Sequence, residues 1–328
     1  MKTQLLDPNN FLYTKINCMK KIAAFLTLIR ASNLVFIVLT QFLFEYCIYE
    51  RIYGPTSPAG TQQFWLIVLA SVLIAAAGNS INDYFDLNID QINKPSKVVV
   101  NVVISRRWVI FFHLILSMLG LFFTAYALPI QTYWYLVFAN MLCIVLLWVY
   151  STNFKKQLLI GNVLISLLTA WVLLIIFFSK EPLQLHQVFE SGEKEIRFFR
   201  LTVLYASFAF IISLIREVIK DVEDRVGDAK YGCRTIPIVW GLTATKVFVA
   251  VWLVVLIAVL VILQLYVLPM GWWESILYCV LAIIAPLIWV FIKLLSAQTE
   301  KDFGKLSTVI KIVMLTGIVS MVFFRYYL

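Results

Sequence analysis

Nine stretches of about 20 mostly apolar residues, near 22–48, 63–84, 107–128, 132–150, 158–178, 198–219, 246–268, 272–295 and 304–324, fix the solvent in which this chain folds. Coiled as an α-helix, a run of that length spans the ~30 Å hydrocarbon core of a bilayer. None of the runs alternates polar and apolar residues with period two, so the backbone polar groups must be satisfied within helices rather than in a barrel. Only 14% of the residues are charged, against roughly 25% in soluble domains. The pattern predicts an all-α polytopic membrane protein with nine transmembrane helices, folded as a single domain over residues 1–328.

Lys and Arg set the orientation. If the N-terminus and the even-numbered connections share one side, that side collects most of the basic residues, among them Lys20, Lys21, Lys94, Lys97, Arg106, Arg107, Lys155, Lys156, Lys220, Lys230 and Arg234. The other side keeps Arg51, Lys180, Lys194, Arg197, Arg200 and Arg325. This bias predicts a cytoplasmic N-terminus in the cytoplasmic membrane. The net charge of +9 is then mostly topology, and its dispersal over several loops excludes a nucleic-acid surface. The first twenty residues contain Asp7 and Pro8 and no cleavable signal pattern, so the first segment is expected to stay as a membrane helix. The cysteines, Cys18, Cys47, Cys143, Cys233 and Cys279, form no C-x-x-C pair and suggest neither a zinc site nor a disulfide framework. His113 and His186 have no ligand companion and read as structural.

Against this apolar background one acidic pattern occurs twice. Asp83, Asp86 and Asp90 follow the second segment, and Asp221, Asp224 and Asp228 follow the sixth, both spaced D-x-x-D-x-x-x-D. On a continuous helix such positions fall within an arc of roughly 60°. The first helix should run until Lys94-Pro95, since proline disfavours helix at the residue before it, and the second until Gly232, a C-terminal cap. Acids at membrane depth cost about 2.5 to 3.5 kcal/mol each without a counter-charge. Carboxylate oxygens are hard ligands suited to Mg²⁺, which is usually held by one or two carboxylates together with substrate phosphates. A diphosphate carrying a lipid tail fits two acid clusters placed where long apolar helices meet water. Lys94, Lys97, Lys155, Lys220, Lys230 and Arg234 stand close enough in sequence to complete an anion cage. The plainer alternative is that the acids solvate helix ends and pair with neighbouring Lys and Arg. Acids lining a transporter pathway are a further alternative, disfavoured because no equivalent set marks the other side.

At these residues the chain resembles the UbiA superfamily of intramembrane prenyltransferases. Asn82-Asp83-x-x-Asp86-x-x-x-Asp90 and Asp224-x-x-x-Asp228 look like its two aspartate-rich motifs. The resemblance covers nearly the whole chain and implies nine helices around a central cavity, with Mg²⁺-dependent ionisation of a polyprenyl diphosphate and capture of the allylic cation by a lipid-soluble acceptor. More narrowly, Arg216-Glu217-Val218-Ile219-Lys220-Asp221, Gly227-Asp228, Gly232 and Thr235-Ile236-Pro237 look like the geranylgeranylglycerol-phosphate geranylgeranyltransferase branch. Ile92-Asn93-Lys94-Pro95, Arg30 with Asn33, Tyr150 with Lys155, and Gly161-Asn162 agree with it. One departure stands out: where that branch usually carries a further Arg-Pro and Ser-Gly, this chain has Val98-Val99-Val100-Asn101-Val102-Val103.

The resemblance implies that Asn82, Asp86, Asp90, Asp224 and Asp228 hold Mg²⁺. It leaves Asp83 and Asp221 as supporting carboxylates or a general base for the acceptor. Arg30, Asn33, Lys94, Tyr150, Lys155, Lys220, Lys230 and Arg234 would contact diphosphate or acceptor. A glycerol-phosphate lipid is the expected acceptor, with an aromatic acceptor of quinone synthesis as the alternative. Aromatic residues are abundant, but none is singled out for catalysis, since Trp and Tyr also mark membrane interfaces.

Overall fold

The structure, a computed structural model, describes residues 19–180 and 192–327, apart from the Lys97 side chain. Lys2, Lys15 and Cys18 near the N-terminus, and Glu181, His186 and Glu190 in the connection before the sixth segment, lie outside the described residues. Among the described residues nine helical spans are long and apolar enough to cross a membrane. They are α1 Ala31–Tyr53, α2 Pro58–Asn93, α3 Arg106–Ala127, α4 Ile130–Thr152, α5 Ile160–Lys180, α6 Glu193–Glu223, α7 Gly241–Met270, α8 Trp273–Ser296 and α9 Glu300–Tyr327. The described chain is helical throughout, with one isolated bridge, Val100–Ile104, in the loop after α2. The all-α, nine-span expectation therefore holds.

Two expectations about continuity do not. The segment expected to run unbroken over 22–48 is split at Ile29–Arg30, between a short helix at 19–28 and α1. Arg30 takes left-handed dihedrals (φ 52°, ψ 54°), a conformation costing roughly 1–2 kcal/mol for a residue with a Cβ. Two contacts with α2 hold the break: Asn79 Nδ2 donates to the Ile29 carbonyl at 2.9 Å, and the Arg30 guanidinium reaches Asp83 at 2.8 Å. The second acidic helix also does not run unbroken to Gly232. It stops at Glu223, Asp224 leaves helical dihedrals (φ −93°, ψ 1°), and a short helix Arg225–Lys230 follows. Asp221, Asp224 and Asp228 therefore do not share one helical arc.

α2 shows how sequence sets length. Ser57 Oγ accepts from the Gly60 N–H, Pro58 begins the helix where its missing donor costs nothing, and Pro95 ends it. Its 36 residues extend about 54 Å at 1.5 Å per residue, well beyond a ~30 Å hydrocarbon core. Its last turns therefore project past the apolar layer and carry Asp83, Asp86 and Asp90. α9 is started by a capping box in which Thr299 and Asp302 satisfy each other's backbone N–H groups.

One buried cluster joins α6 to α9, with Val218, Leu253, Leu287 and Ile310 at its centre. A second joins α1, α2, α5 and α6 at the opposite end through Phe44, Ile67, Ile176 and Phe198. A third, of Ala24, Leu28, Leu87, Val100, Ile104 and Val109, seats the 19–28 helix on the end of α2. Burial of apolar area is worth about 25 cal/mol per Å², and here it explains the valine-rich departure: Val100 is buried, and Val98 and Val99 pack against the cluster. Large apolar side chains such as Met118, Phe122, Ile262 and Leu281 face outward, as lipid contact requires.

Candidate active site

The ends of α2 and α6 lie side by side. Lys94, just past the end of α2, bridges to Asp224 at 2.7 Å. Asn93 Nδ2 donates to the Asp224 carbonyl at 2.9 Å, and Asn93 Oδ1 accepts from the Gly227 N–H at 2.9 Å. Asn93 thus clamps the break that redirects the chain at Asp224. Gly227 is required for this approach, since a Cβ there would lie 2.4 Å from Asn93 Oδ1. Both acid sets consequently stand at the same end of the bundle, facing one interior.

Each set is drawn onto cations. Asp83 pairs with Arg30. Asp86, almost fully buried, accepts from Lys155 and from Asn82 Nδ2, the latter at 2.6 Å. Asp221 accepts from Asn162 Nδ2 at 2.8 Å. Neither Asp90, half-buried, nor Asp228, buried, takes a side-chain hydrogen bond or ion pair among the described residues. Burial pushes the Asp228 carboxyl up to about 6; Lys155 opposes the rise, while Asp224 and Asp86 add to it. Lys155 answers the other way: burial alone would lower it, but Asp86 and Tyr150 hold the ammonium well above the usual lysine range.

The remaining predicted contacts divide in two. Tyr150 lies within electrostatic reach of Lys155, Asp86 and Asp221 and belongs to the site. Asn33 accepts from Lys311 at 2.9 Å, one turn past Arg30. Lys220 turns to Glu217, at 3.1 Å, and Arg216 reaches the same carboxylate at 3.0 Å. Two cations share this one anion, and Arg216 Nε is buried without an acceptor. Lys230 and Arg234 have exposed side chains and join no acid among the described residues. Arg234 contributes only its backbone N–H, donated to the Lys156 carbonyl at 2.8 Å.

Sequence reasoning did not assign Asn93, Asn162 and Glu217 to the site. Asn93 and Glu217 stand within four residues of a motif acid, whereas Asn162 lies 59 residues from its partner Asp221; their roles come from partners on other helices or from neighbouring cations. His113 is structural as expected, its Nδ1–H donating to the Ala77 carbonyl at 3.0 Å. Cys47, Cys143, Cys233 and Cys279 are free and buried.

The donor set suits a hard divalent cation only in part. Asn82 Oδ1 is buried with no partner, which suits an oxygen awaiting a ligand. Yet among the described residues no three acidic, His or Cys side chains are gathered tightly enough to hold an ion by themselves. Further oxygens would have to come from a phosphate, the usual situation for Mg²⁺.

Fold and site together define a class: a helical integral membrane enzyme with acids and lysines gathered at one end of its bundle. The UbiA prenyltransferase family model matches residues 23–315, and the chain belongs to that family. It is a prenyltransferase. A digeranylgeranylglyceryl phosphate synthase from Methanosphaera stadtmanae is 30% identical over 259 residues, covering 77% of this chain and 86% of that protein. A solved structure concerned with digeranylgeranylglyceryl phosphate synthase in membranes superposes with a TM-score of 0.60 at 24% identity, covering 92% of this chain and 99% of the other. A UbiA homologue from Archaeoglobus fulgidus, bound to DMAPP and Mg²⁺, superposes with a TM-score of 0.53 at 16% identity, covering 90% of this chain and 98% of the other.

Proposed function

We propose that this protein, as a single domain, transfers a geranylgeranyl group from its diphosphate to the free hydroxyl of a geranylgeranylated glycerol phosphate, releasing diphosphate. The observation that carries the reading is the Lys94–Asp224 bridge beside the Asn93 clamp, which sets both acid groups around one interior. The 30% identity to a digeranylgeranylglyceryl phosphate synthase supports the donor and acceptor classes. The buried Arg216 Nε, which has no acceptor, supports an anionic acceptor.

Asn82, Asp86, Asp90, Asp224 and Asp228 are the residues that would hold Mg²⁺; that a UbiA homologue of the same fold is bound to DMAPP and Mg²⁺ supports the metal, not the choice of residues. Bound there, Mg²⁺ supplies charge neutralisation of the leaving diphosphate. The lysines supply the rest. Lys94 and Lys155, paired with Asp224 and Asp86, are the ammonium groups within the acid sets that would bind phosphate oxygens. Arg30 and Tyr150, within electrostatic reach of Asp86, and Asn33, beside Lys311, would contact diphosphate or acceptor, and the exposed Lys230 and Arg234 would do so only from outside the acid sets. The apolar interior below the acids accepts the prenyl tail and excludes water from the cation formed when the C1–O bond breaks. The bias of Lys and Arg supports a cytoplasmic placement of this end.

Product analysis tests the reading. Purified protein with Mg²⁺ and geranylgeranyl diphosphate is offered geranylgeranylglyceryl phosphate or an aromatic acceptor such as 4-hydroxybenzoate, and products are identified by mass. The glycerol ether is expected. Alkylation of the aromatic acceptor alone refutes the proposed acceptor.

A further inference from the structure

The two acid sets put one carboxylate each a turn deeper than Asp86 and Asp224. Asp83 stands three residues before Asp86 and Asp221 three before Asp224, about 4.5 Å further into the bundle at 1.5 Å per residue. Spacing alone makes these two residues equivalent, but their partners differ. Asp83 is held by the Arg30 guanidinium at 2.8 Å, a charge-assisted contact that favours the anion and occupies one of its oxygens. Asp221 Oδ2 accepts from the neutral amide of Asn162 at 2.8 Å, and Asp221 Oδ1 takes no hydrogen bond among the described residues. Asn162 is buried on α5, so the amide fixes the carboxylate without donating charge to it. The lysine that follows Asp221 in sequence is committed elsewhere, since Lys220 bonds both oxygens of Glu217. The other charged or titratable groups facing Asp221 are Glu217 on its own helix, Asp228 on the next short helix and Tyr150 on α4.

We infer that Asp221 is the general base for the acceptor hydroxyl and that Asn162 is its positioning residue; this rests on the acceptor being an alcohol, as proposed above. The prenyl C1–O bond breaks and its electron pair leaves with diphosphate. The acceptor oxygen forms the new C1–O bond as its proton passes to Asp221 Oδ1, from which it is later lost to solvent. An aliphatic alcohol needs this help, because it becomes strongly acidic only as the ether bond forms. A positioned base contributes about 10²- to 10⁴-fold to such a step.

The test separates ionisation from transfer. Wild type, Asp221→Asn, Asp221→Glu, Asn162→Ala and Asp83→Asn are each assayed for ether formation with geranylgeranylglyceryl phosphate across pH. Without acceptor, they are assayed for Mg²⁺-dependent release of diphosphate with formation of the prenyl alcohol. Asp221→Asn should lower transfer about 10²- to 10⁴-fold, lose the acid limb of the kcat profile, and still release diphosphate to water. Asp221→Glu should recover part of the transfer. Asn162→Ala removes a donor to the charged form, so its acid limb should move to higher pH, a shift that a purely structural role would not produce. Asp83→Asn should leave the limb in place. Transfer by Asp221→Asn within about threefold of wild type, well short of the ~10²-fold minimum for a lost base, overturns the inference. So does an equal loss of ionisation and transfer in Asp221→Asn. If Asp221→Asn fails to fold, an unmoved limb in Asn162→Ala overturns it instead. Wild type that alkylates only an aromatic acceptor refutes the proposed function itself, a separate outcome that removes the alcohol this base would serve.

Discussion

The clamp between α2 and the chain after α6 can be broken from either side, and the two ways should not add. In Gly227→Ala the new Cβ would sit 2.4 Å from Asn93 Oδ1 and 2.7 Å from Nδ2. These are ends of a rotatable side chain, so Asn93 should swing away and forfeit its bonds to the Gly227 N–H and the Asp224 carbonyl. At about 0.5–1.5 kcal/mol net per bond, that costs about 1–3 kcal/mol. Replacing a helical glycine by alanine returns roughly 1 kcal/mol, since Gly227 lies inside the Arg225–Lys230 helix. Asn93→Ala loses the same two bonds with no clash. In that background Gly227→Ala has nothing to displace and should stabilise by up to about 1 kcal/mol. The sign of the effect therefore inverts. The assay is the unfolding midpoint in mild detergent for the four proteins of the cycle, alongside the Mg²⁺ concentration that half-saturates diphosphate release. Both single variants should need more Mg²⁺, because Asp224 and Asp228 flank the freed loop. Equal destabilisation by Gly227→Ala in both backgrounds would mean that Asn93 is not what the glycine accommodates.

Three further outcomes follow from the charges and the backbone. Asp228, with its carboxyl raised by burial to about 6, favours the metal-free fold while protonated; that contribution is complete below the ordinary value of 3.8 and is lost as pH rises through about 6. Mg²⁺ should therefore raise the unfolding midpoint little at pH 5 and fully at pH 7.5, and Asp228→Asn should flatten that dependence. Lys155→Met strands Asp86 in a buried position, where breaking a buried pair costs at most about 3–5 kcal/mol. Its unfolding midpoint should drop in chelator and be partly restored by Mg²⁺, whereas a variant that also carries Asp86→Asn should lose most of the chelator effect. Arg30→Gly and Arg30→Ala both abolish the Asp83 contact and should lower transfer equally, but the glycine variant should be more stable by about 1–2 kcal/mol because the backbone there is left-handed.

Much of the molecule is visible in the sequence because a bilayer admits few solutions. Each of the nine apolar runs overlaps one of the nine spans, and Lys94-Pro95 ends α2 where expected. Metal-site and substrate-site candidates were readable because carboxylates are expensive in that setting, so their repetition had to mean something. Loss of continuity at Arg30 and Asp224 was not readable, since both runs have helix-compatible composition. Neither break is made locally. The one at Arg30 is held by Asn79 and Asp83, about 50 residues along the chain, and the one at Asp224 by Asn93, on a helix four spans earlier. Lys230 and Arg234 were grouped with the acids by proximity in sequence, but the turn after Asp228 leaves both side chains exposed.

The same cause explains why equal spacing did not give equal geometry. Asp83, Asp86 and Asp90 ride one continuous helix and keep the arc their spacing implies, whereas the second set is cut at its middle member. The cut turns Asp228 back over the site instead of letting it continue along α6, and it exposes the Asp224 carbonyl for Asn93 to bind. Two straight acid helices emerging in parallel would hold their carboxylates in two separate lines. Bending one of them at the acid nearest the other helix brings the lines together, and the lysine just past α2 then reaches across to the bent one. Repetition therefore supplies the chemistry on both sides, and the broken symmetry supplies the enclosure. The asparagine that enforces it carries no charge and forms no part of the repeated pattern, so nothing in the acid spacing could have marked it.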